Sequence, residues 1–306
     1  LKMSIQYWFN QGEQRNRFIS LKGDYHGDTF GSMSLTARGG FNEPFERFMF
    51  DVDFIDIPTE ENRVQLLEKF ELLLKTNDIA AFIFEPIVQG AGGMIMHSPE
   101  VLSELIGLCN QYGVIAISDE VFTGFGRTGK MFAIDHCENK PDIVCLSKGI
   151  TGGFMAMGIT AVSDKIYQAF YSDDKGKTFL HGHSYTGNAL ACSVANASLD
   201  LFEKEDVWKN IESISEMQKA FVNSILDHSK IRNARSFGTI AALELEADGA
   251  SSYFNSKGKE AYSFLLEKGI ILRPLGNVIV LIPPYCISSK DLEYMYESIQ
   301  EYLNLS

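Results

Sequence analysis

Up to residue 204 the chain alternates short, continuous apolar runs with longer stretches in which apolar residues recur at helical spacing. The apolar runs are rich in β-branched residues and too short for helices, so they predict buried strands. They cover residues 17–21, 79–86, 114–118 and 143–147. Helical spacing covers residues 61–75, 101–112 and 189–201. This order predicts an α/β fold, with a mainly parallel sheet and helices on both faces.

The pattern changes after residue 204. A long amphipathic segment, a strand, a helix, two short strands and a last helix follow, and together they predict a smaller α+β domain. These elements cover residues 206–228, 239–246, 253–268, 273–282 and 289–303. We therefore expect a large domain at residues 1–204 and a small C-terminal domain at residues 205–306.

The composition limits the classes of protein to consider. The 306-residue chain is 45% hydrophobic and can form substantial cores. No apolar stretch approaches the roughly 20 residues of a membrane-spanning helix. The net charge of −13 argues against binding to nucleic acid. The five cysteines have no paired CxxC spacing, so we expect reduced thiols in a cytoplasmic protein. From the apolar stretches and the net charge, we expect no binding to membranes or nucleic acids.

Two charged residues follow predicted strands. Asp119 ends the run at residues 114–118, and Lys148 follows the run at residues 143–147. Open α/β sheets bind ligands at the carboxyl ends of their strands, and a buried charge there is costly unless it is paired. Pyridoxal 5'-phosphate would pair with both, because its aldehyde condenses with a lysine amine and its ring nitrogen pairs with an aspartate. Burial and the cationic ring would lower the pKa of Lys148. The alternatives are a surface lysine for Lys148 and a helix N-cap or a structural ion pair for Asp119.

Further candidates lie in glycine-rich turns. Tyr25 could stack on a planar ring or be an ordinary loop tyrosine, whereas His26 and Asp28 are interpreted as turn residues that satisfy the backbone. The turn at residues 181–188 opens a predicted helix and suits a phosphate group. Its two histidines have no further ligands at metal-binding spacing, so we expect no metal.

Two arginines each have two open interpretations. Arg127 lies in a glycine-rich loop and could form a fork with a carboxylate or be a hinge charge. Arg273 lies between two predicted apolar strands and could bind a substrate carboxylate or form a structural ion pair.

In their order and spacing, these blocks resemble the class III pyridoxal-phosphate aminotransferases over nearly the whole chain. The matching strings are residues 25–31 (YHGDTFG), 85–93 (EPIVQGAGG), 123–129 (TGFGRTG) and 273–277 (RPLGN), together with Lys148 and its trailing glycines. As a set, such long strings are highly specific. The resemblance implies the fold-type I arrangement, with a large cofactor domain and a small C-terminal domain.

The resemblance also implies a pyridoxal-phosphate-dependent transaminase. Lys148 would bind the cofactor covalently and later move the proton, Asp119 would pair with the ring nitrogen, and Tyr25 would stack on the ring. Ser184 would reach the cofactor phosphate of the neighbouring subunit, which implies a homodimer with shared active sites.

The residues implied in substrate binding are Tyr25, Asp28, Arg127, Lys148, Gly182 and Arg273. Phe122 and residues 89–92 differ from ornithine-type members, which carry a glutamine and a glutamate there, and they point to the branch of the family in biotin synthesis. That branch moves the amino group of S-adenosylmethionine to 8-amino-7-oxononanoate, giving 7,8-diaminononanoate. Another amino donor such as lysine, an aminomutase, and a catalytically incomplete dimerising remnant are the alternatives.

The chain begins within a helical pattern. Residues 1–8 have helical spacing, and no capping residue precedes them. In the family, a glycine-serine phosphate loop lies just upstream of this position. We therefore expect the 306-residue chain alone to bind the cofactor weakly or not at all.

Overall fold

Two units, each with its own sheet, make up the structure. The computed structural model describes residues 1–36, 42–247 and 255–305. Unit 1 comprises Leu1–Gly92, His97–Phe125 and Phe132–Leu199, and unit 2 comprises Gly93–Met96, Gly126–Met131 and Asp200–Ser306. Two short segments of the expected large domain thus belong to unit 2. The domain boundary expected after residue 204 stays a prediction.

The secondary structure alternates strands and helices through unit 1. The strands, in chain order, are β1 (Arg17–Leu21), β2 (Asp53–Ile55), β3 (Ile79–Phe84), β4 (Val88–Gln89), β5 (Ile95–Met96), β6 (Ile115–Asp119), β7 (Ile143–Leu146), β8 (Ile159–Val162), β9 (Ile231–Phe237), β10 (Ile240–Leu245) and β11 (Val278–Leu281). The α-helices are α1 (Lys2–Asn10), α2 (Phe30–Ser34), α3 (Arg63–Leu74), α4 (Pro99–Tyr112), α5 (Asp164–Gln168), α6 (Ala189–Phe202), α7 (Glu205–Ile225), α8 (Lys257–Glu267) and α9 (Ser289–Asn304).

The sheet of unit 1 has the strand order β2-β1-β3-β6-β7-β8. Neighbouring strands pair in parallel from β2 to β7, and β8 joins β7 in antiparallel orientation. The predicted α/β fold with a mainly parallel sheet is therefore confirmed. The parallel strands end at the same edge, so residues just after β1, β3, β6 and β7 are brought side by side.

Both faces of the central strands are buried, which explains their continuous apolar sequences. Every residue of β3 is buried. On one face, the ring of Phe82 packs edge-on against Phe70 of α3, at 5.0 Å between centroids. On the other, Ala81 shares a core with Trp8 of α1, whose indole N–H donates to the carbonyl of Ala80 at 2.8 Å.

The ends of α4 follow from its sequence. The hydroxyl of Ser98 accepts a hydrogen bond from the amide of Val101, Pro99 occupies the first turn, and Gly113 adopts φ 70° after the last turn. A residue with a side chain is strained in that left-handed conformation, so glycine is the favoured C-terminal cap. The predicted helix is confirmed at both ends.

Unit 2 contains an antiparallel sheet in the order β11-β10-β9. The apolar faces of α7, α8 and α9 supply a core with this sheet, including Phe221 and Tyr296, whose rings stack at 4.1 Å between centroids. The smaller α+β arrangement expected for this part of the chain is confirmed.

Three sequence-based expectations in unit 2 are corrected. Strand β9 was not predicted, because its sequence IRNARSF has only a few apolar positions and suits the edge of a sheet. Residues 269–277 do not form the first of the two expected strands, since Pro274 has no N–H and Gly276 turns with φ 62°. Helix α8 begins at Lys257 rather than at residue 253, which lies outside the described residues.

Among the helices in the described ranges, none is long and apolar enough to cross a membrane. The same ranges contain no group of three or more histidine, cysteine, aspartate or glutamate side chains arranged to hold a metal ion.

Candidate active site

Four adjacent parallel strands each deliver a charged residue to the carboxyl edge of the unit 1 sheet. Asp24 follows β1, Glu85 follows β3, Asp119 ends β6 and Lys148 follows β7. The register pairs Asp119 with Cys145, so Lys148 lies three residues beyond the partner of Asp119 on the next strand. The expectation that Asp119 and Lys148 lie at one edge of the sheet agrees with this topology.

The Asp119 carboxylate is held by two donors. Its Oδ2 accepts from Nδ1 of His26 at 2.8 Å, and its Oδ1 accepts from the amide of Val121 at 3.1 Å. The side chain is 11% exposed, so the carboxylate keeps an accessible edge. An N–H donor outside the chain could reach that edge, which is what the pyridine nitrogen of pyridoxal phosphate requires.

His26 compensates the negative charge of Asp119. Its ring is 2% exposed, and burial lowers its pKa, but the interactions with Asp119 and Asp24 outweigh burial and raise the pKa to about 10. The contact with Asp24, at 3.5 Å between Nε2 and Oδ2, is an ion pair at the limit of hydrogen-bond length. At neutral pH His26 is therefore an imidazolium between two carboxylates. Its interpretation as a turn residue that satisfies the backbone is wrong.

Tyr25 is fixed at both its backbone and its hydroxyl. Its amide donates to Oε2 of Glu85 at 2.9 Å, and its hydroxyl donates to Oδ1 of Asp28 at 2.8 Å. Partial burial and then the Asp28 carboxylate raise the pKa of Tyr25 to about 12, so the phenol stays neutral. Asp28 is exposed and binds this hydroxyl, which corrects its interpretation as a backbone-satisfying residue.

Lys148 begins a 3₁₀ turn at residues 148–151 and has φ 44°, a value that side chains disfavour. Its Nζ lies 5.8 Å from the centroid of the Phe122 ring. The residue is exposed, so the expectation that the chain itself buries the amine is wrong. Strain at a residue of this kind is typical of functional sites, where the surrounding structure holds it in place.

Phe125 holds the turn that follows Lys148. It is 2% exposed and also has a positive φ of 62°. A Cβ built on Gly149 would lie 3.0 Å from Cδ2 and 3.1 Å from Cβ of Phe125, tighter than ordinary contacts. The backbone next to Lys148 thus packs directly on this ring, and only glycine fits there without displacement.

Glu120, next to Asp119, is a structural anchor. Its Oε1 accepts from the amide of Ile134 at 2.8 Å, and its Oε2 accepts from the amide of Ala133 at 3.0 Å and from the hydroxyl of Thr123 at 2.6 Å. These bonds fix both ends of the segment that runs from β6 to residue 133. Phe125 lies in this segment. Of these two adjacent acids, Asp119 therefore faces the site, and Glu120 holds the segment that follows β6.

The two arginine candidates belong to unit 2. Nη1 of Arg127 donates to the carbonyl of Pro283 at 2.7 Å, and its guanidinium lies 4.7 Å from the centroid of the Tyr285 ring. Arg273 lines a mostly apolar cavity of about 770 Å³ within this unit. It does not lie between two strands as expected, because residues 269–277 are irregular.

Gly182 and Ser184 lie on an exposed segment before α6. The amides of Leu190 and Ala191 at the start of α6 donate to Oδ1 of Asn188, at 3.0 and 3.2 Å. The turn was expected to offer the amides of this helix to a phosphate. Two of them are instead capped by a side chain of the chain itself.

Glu85 and Asp24 are functional candidates that the sequence interpretation missed. Glu85 directly follows an all-apolar strand, as Asp119 does, so the reasoning applied to Asp119 could have found it. Asp24 has no such signal, because it lies in a turn three residues after β1. Only the fold shows that it is fully buried beside His26.

Glu85 is a buried acid that stays protonated at neutral pH. Burial, and then the negative charge of Asp24, raise the pKa of Glu85 to about 8, against the opposing effects of His26 and of the amides of Gly90 and Tyr25. The protonated form leaves Asp24 and Asp119 as the two anions beside the imidazolium.

We expect the stability of the chain to fall as the pH rises from about 4.5 to about 8. Unfolded glutamate loses its proton near pH 4.3, whereas folded Glu85 keeps it to about pH 8, so unfolding releases a proton between these values. The contribution is up to about 1.4 kcal/mol per pH unit. Urea unfolding at several pH values measures it. Glu85→Gln is expected to flatten the curve between about pH 4.5 and 6.5 and to lose one hydrogen bond, because an amide NH₂ cannot replace an acceptor oxygen. Above about pH 6.5 the raised pKa of His26 adds a slope of the same sign in both chains.

The matched control is Glu68→Gln, which alters an exposed glutamate of α3. Its stability curve is expected to run parallel to that of the unsubstituted chain. A Glu85→Gln curve that also ran parallel would contradict the protonated state assigned to Glu85.

Together, the residues of unit 1 fit pyridoxal phosphate by the chemistry of their donors. A charge-compensated carboxylate with an accessible edge, Asp119, suits a protonated ring nitrogen. The amine of Lys148, on the neighbouring strand, suits the aldehyde, and Tyr25 supplies an aromatic ring after β1.

Comparison with known proteins agrees with this assignment. Residues 1–303 match the family model described as aminotransferase class-III. The adenosylmethionine-8-amino-7-oxononanoate aminotransferase of Synechococcus elongatus is 40% identical over 99% of this chain and 73% of its own length. The enzyme of the same name from Staphylococcus aureus is 37% identical over 96% of this chain and 69% of its own length.

Solved structures give the same result. The crystal structure of the enzyme of that name from Methanocaldococcus jannaschii matches with a TM-score of 0.89 and 36% identity, covering 98% of this chain and 72% of that chain. An amine transaminase from an uncultivated Pseudomonas species, in a pyridoxal-phosphate-bound form, matches with a TM-score of 0.90 and 29% identity, over 98% of this chain and 72% of that chain. The chain therefore belongs to the class III aminotransferases, a family of pyridoxal-phosphate-dependent transaminases.

Proposed function

We propose that this chain transfers the amino group of S-adenosylmethionine to the keto carbon of 8-amino-7-oxononanoate, giving 7,8-diaminononanoate in biotin synthesis. The relatives that carry this activity in their names share 34–40% identity with nearly the whole chain. The observation in the structure that supports transamination best is the Asp119 carboxylate held by the His26 imidazolium, one strand away from Lys148.

Pyridoxal phosphate, when bound, supplies an aldehyde that links to the amino group and a ring that withdraws electrons from the adjacent carbon. The Asp119 carboxylate would accept the N–H of the ring nitrogen and keep that nitrogen protonated. Nζ of Lys148 would hold the aldehyde between turnovers and, once released, would move the proton from the substrate carbon to the former aldehyde carbon of the cofactor. The exposed side chain of Lys148 has the freedom that this proton transfer needs.

Tyr25 and Asp28 would define one wall of the site. The Tyr25 ring would stack on the cofactor, and the bond from its hydroxyl to Asp28 fixes the orientation of the ring. Asp28 is exposed and adds a negative charge for a cationic part of the substrate. S-Adenosylmethionine carries such a charge at its sulfonium.

The two arginines would contribute to the substrate pocket in different ways. Arg273 would pair with a substrate carboxylate, because guanidinium groups match carboxylates in bidentate geometry. Arg127 is held by the Pro283 carbonyl and by the Tyr285 ring, so its position is fixed before a substrate binds. It would shape the substrate pocket rather than move into it.

A homodimer with shared active sites is part of this proposal. Phe154, Leu180, Tyr185 and Leu190 of unit 1 are 83%, 82%, 75% and 70% exposed. Contiguous patches of exposed apolar side chains mark protein interfaces, and these four side chains lie in the stretch between residues 154 and 190. Ser184 lies within that stretch, so a partner subunit that covers it would bring its hydroxyl to the cofactor phosphate, with Gly182 beside the substrate. The five cysteines all lie in the described part of the chain and form no disulfide there, which supports a reducing cytoplasmic compartment.

The amino donor can be tested by the half-reaction. S-Adenosylmethionine, added without acceptor to the cofactor-loaded enzyme, is expected to convert the visible absorption of the aldehyde form to that of the amine form. Lysine and alanine serve as competing donors under the same conditions. Conversion by lysine alone would reject S-adenosylmethionine as the donor but keep the transaminase, and Lys148→Ala is expected to abolish conversion with every donor.

Gly149→Ala is expected to lower the turnover of the loaded enzyme roughly 10- to 100-fold, because the added Cβ meets Phe125 and displaces the backbone of Lys148. Gly158→Ala is the matched control. Its Cβ would make only an ordinary contact, 3.9 Å from the carbonyl of Leu146, so turnover is expected to stay within about twofold. Equal turnover of the two variants would contradict the packing role of Phe125.

The dimer can be tested by sedimentation equilibrium, which is expected to give twice the mass of the chain. Leu180→Asp would bury a charge in the interface and is expected to weaken association by roughly 100-fold or more. Leu72→Asp alters a similarly exposed leucine, 67% exposed on α3, and is expected to leave the dimer intact. A monomeric unsubstituted chain would exclude shared active sites.

A further inference from the structure

We propose that Asp24 is a positioning residue for transamination, which acts through the His26 imidazolium to hold the Asp119 carboxylate in place against the cofactor ring nitrogen. The inference rests on the role proposed above for Asp119. It assigns a function to a side chain that contacts neither the lysine nor, by its burial, any substrate.

Both carboxylate oxygens of Asp24 accept hydrogen bonds. Asp24 is 0% exposed. Its Oδ1 accepts from Nε2 of Gln89 at 2.7 Å, and its Oδ2 accepts from the amide of Glu85 at 3.2 Å. The same Oδ2 lies 3.5 Å from Nε2 of His26, on the opposite side of the imidazole from Asp119. Asp24, the imidazole of His26 and Asp119 therefore form a line of three side chains at the sheet edge.

The line places one cation between two anions. A buried imidazolium with a single carboxylate partner would leave the proton on Nε2 facing only the hydroxyl of Ser20, also 3.5 Å away. Asp24 supplies the second negative charge and so favours the doubly protonated ring. With Nδ1 always protonated, Asp119 always receives a charge-assisted hydrogen bond, which is stronger and more directional than a neutral one.

Charge balance explains why the second anion is tolerated in the interior. Two carboxylates and one imidazolium leave a net negative charge, which a protonated ring nitrogen at Asp119 would neutralise. Three other titratable groups near this line add no charge at neutral pH. Glu85 is held protonated with a pKa of about 8, burial lowers the pKa of His97, and burial and then the charge of Asp119 raise the pKa of Cys145 to about 11.

The backbone and neighbouring side chains leave little freedom to Asp24. A Cβ on Gly23 would lie 2.7 Å from Oε1 of Gln89, the residue that donates to Asp24. Gly23 therefore allows Gln89 to approach the turn after β1. Gln89 then fixes the Asp24 carboxylate, which faces His26.

The test is the titration of His26 in the cofactor-free chain, followed by NMR of ¹⁵N-labelled imidazole. His26→Gln identifies the signal. In the unsubstituted chain, His26 is expected to stay protonated above pH 9, and Asp24→Asn is expected to lower its titration midpoint by roughly 1–2 pH units. The measurement uses no substrate and no cofactor, so it does not depend on which amino donor the enzyme accepts.

Asp142→Asn is the matched control. Asp142 is 8% exposed in the same unit, accepts from the amide of Ala116 at 3.1 Å and pairs with Lys165 at 3.2 Å, but makes no contact with His26 that the described structure shows. Its substitution is expected to cost stability comparable to that lost in Asp24→Asn and to leave the His26 midpoint unchanged.

The second readout is the pH dependence of cofactor affinity in the holoenzyme. Asp24→Asn is expected to weaken cofactor binding by up to about fourfold between pH 7 and 8.5, as His26 begins to lose its proton, whereas the unsubstituted enzyme and Asp142→Asn stay constant. A His26 midpoint near 6.5 in the unsubstituted chain would overturn the proposal without any variant. If Asp24→Asn left the titration midpoint of His26 unchanged, Asp24 would be only a structural residue. The same conclusion would follow if the midpoint shifted but the pH dependence of cofactor affinity did not change.

Discussion

The hydrogen bond between the His26 imidazolium and the Asp119 carboxylate is the interaction on which the site depends. A carboxylate at the end of a buried strand would be costly without compensation, and an imidazole buried to 2% exposure would ordinarily be neutral. Each group makes the charge of the other possible. The pair also orients Asp119, because Nδ1 of His26 and the amide of Val121 occupy one oxygen each. An accessible edge of the carboxylate is left for the cofactor.

The parallel sheet makes this pair possible. His26 comes from the turn after β1 and Asp119 from the end of β6, with β3 between them in the sheet. The chain separates these residues widely, and only parallel strands that end at one edge bring them together. The same geometry adds Lys148 from the neighbouring strand β7. The candidate site residues of this chain are thus delivered by strand ends, and its helices serve mainly to bury the strands.

Conformational strain is concentrated beside the lysine. Lys148 and Phe125 both have positive φ values, and Gly149 packs on the Phe125 ring at a distance that admits no side chain. Glu120 ties down the loop that carries Phe125 through three hydrogen bonds. The amine itself is exposed, so a rigid backbone supports a mobile side chain. That combination suits a lysine that must form and release a covalent bond while returning to the same position.

The sequence by itself determined the fold class, because short β-branched runs and helical spacing report burial directly. It also predicted Asp119 and Lys148 as site residues, since a charge after an apolar strand is a local signal. It did not reveal β9, whose edge position tolerates polar residues, or the irregular chain around Arg273, where proline and glycine prevent a strand. The roles of Asp24, His26 and Glu85 were decided only by the tertiary structure. Their charge states come from burial and from neighbours that are distant in sequence, and no local pattern of residues encodes those neighbours.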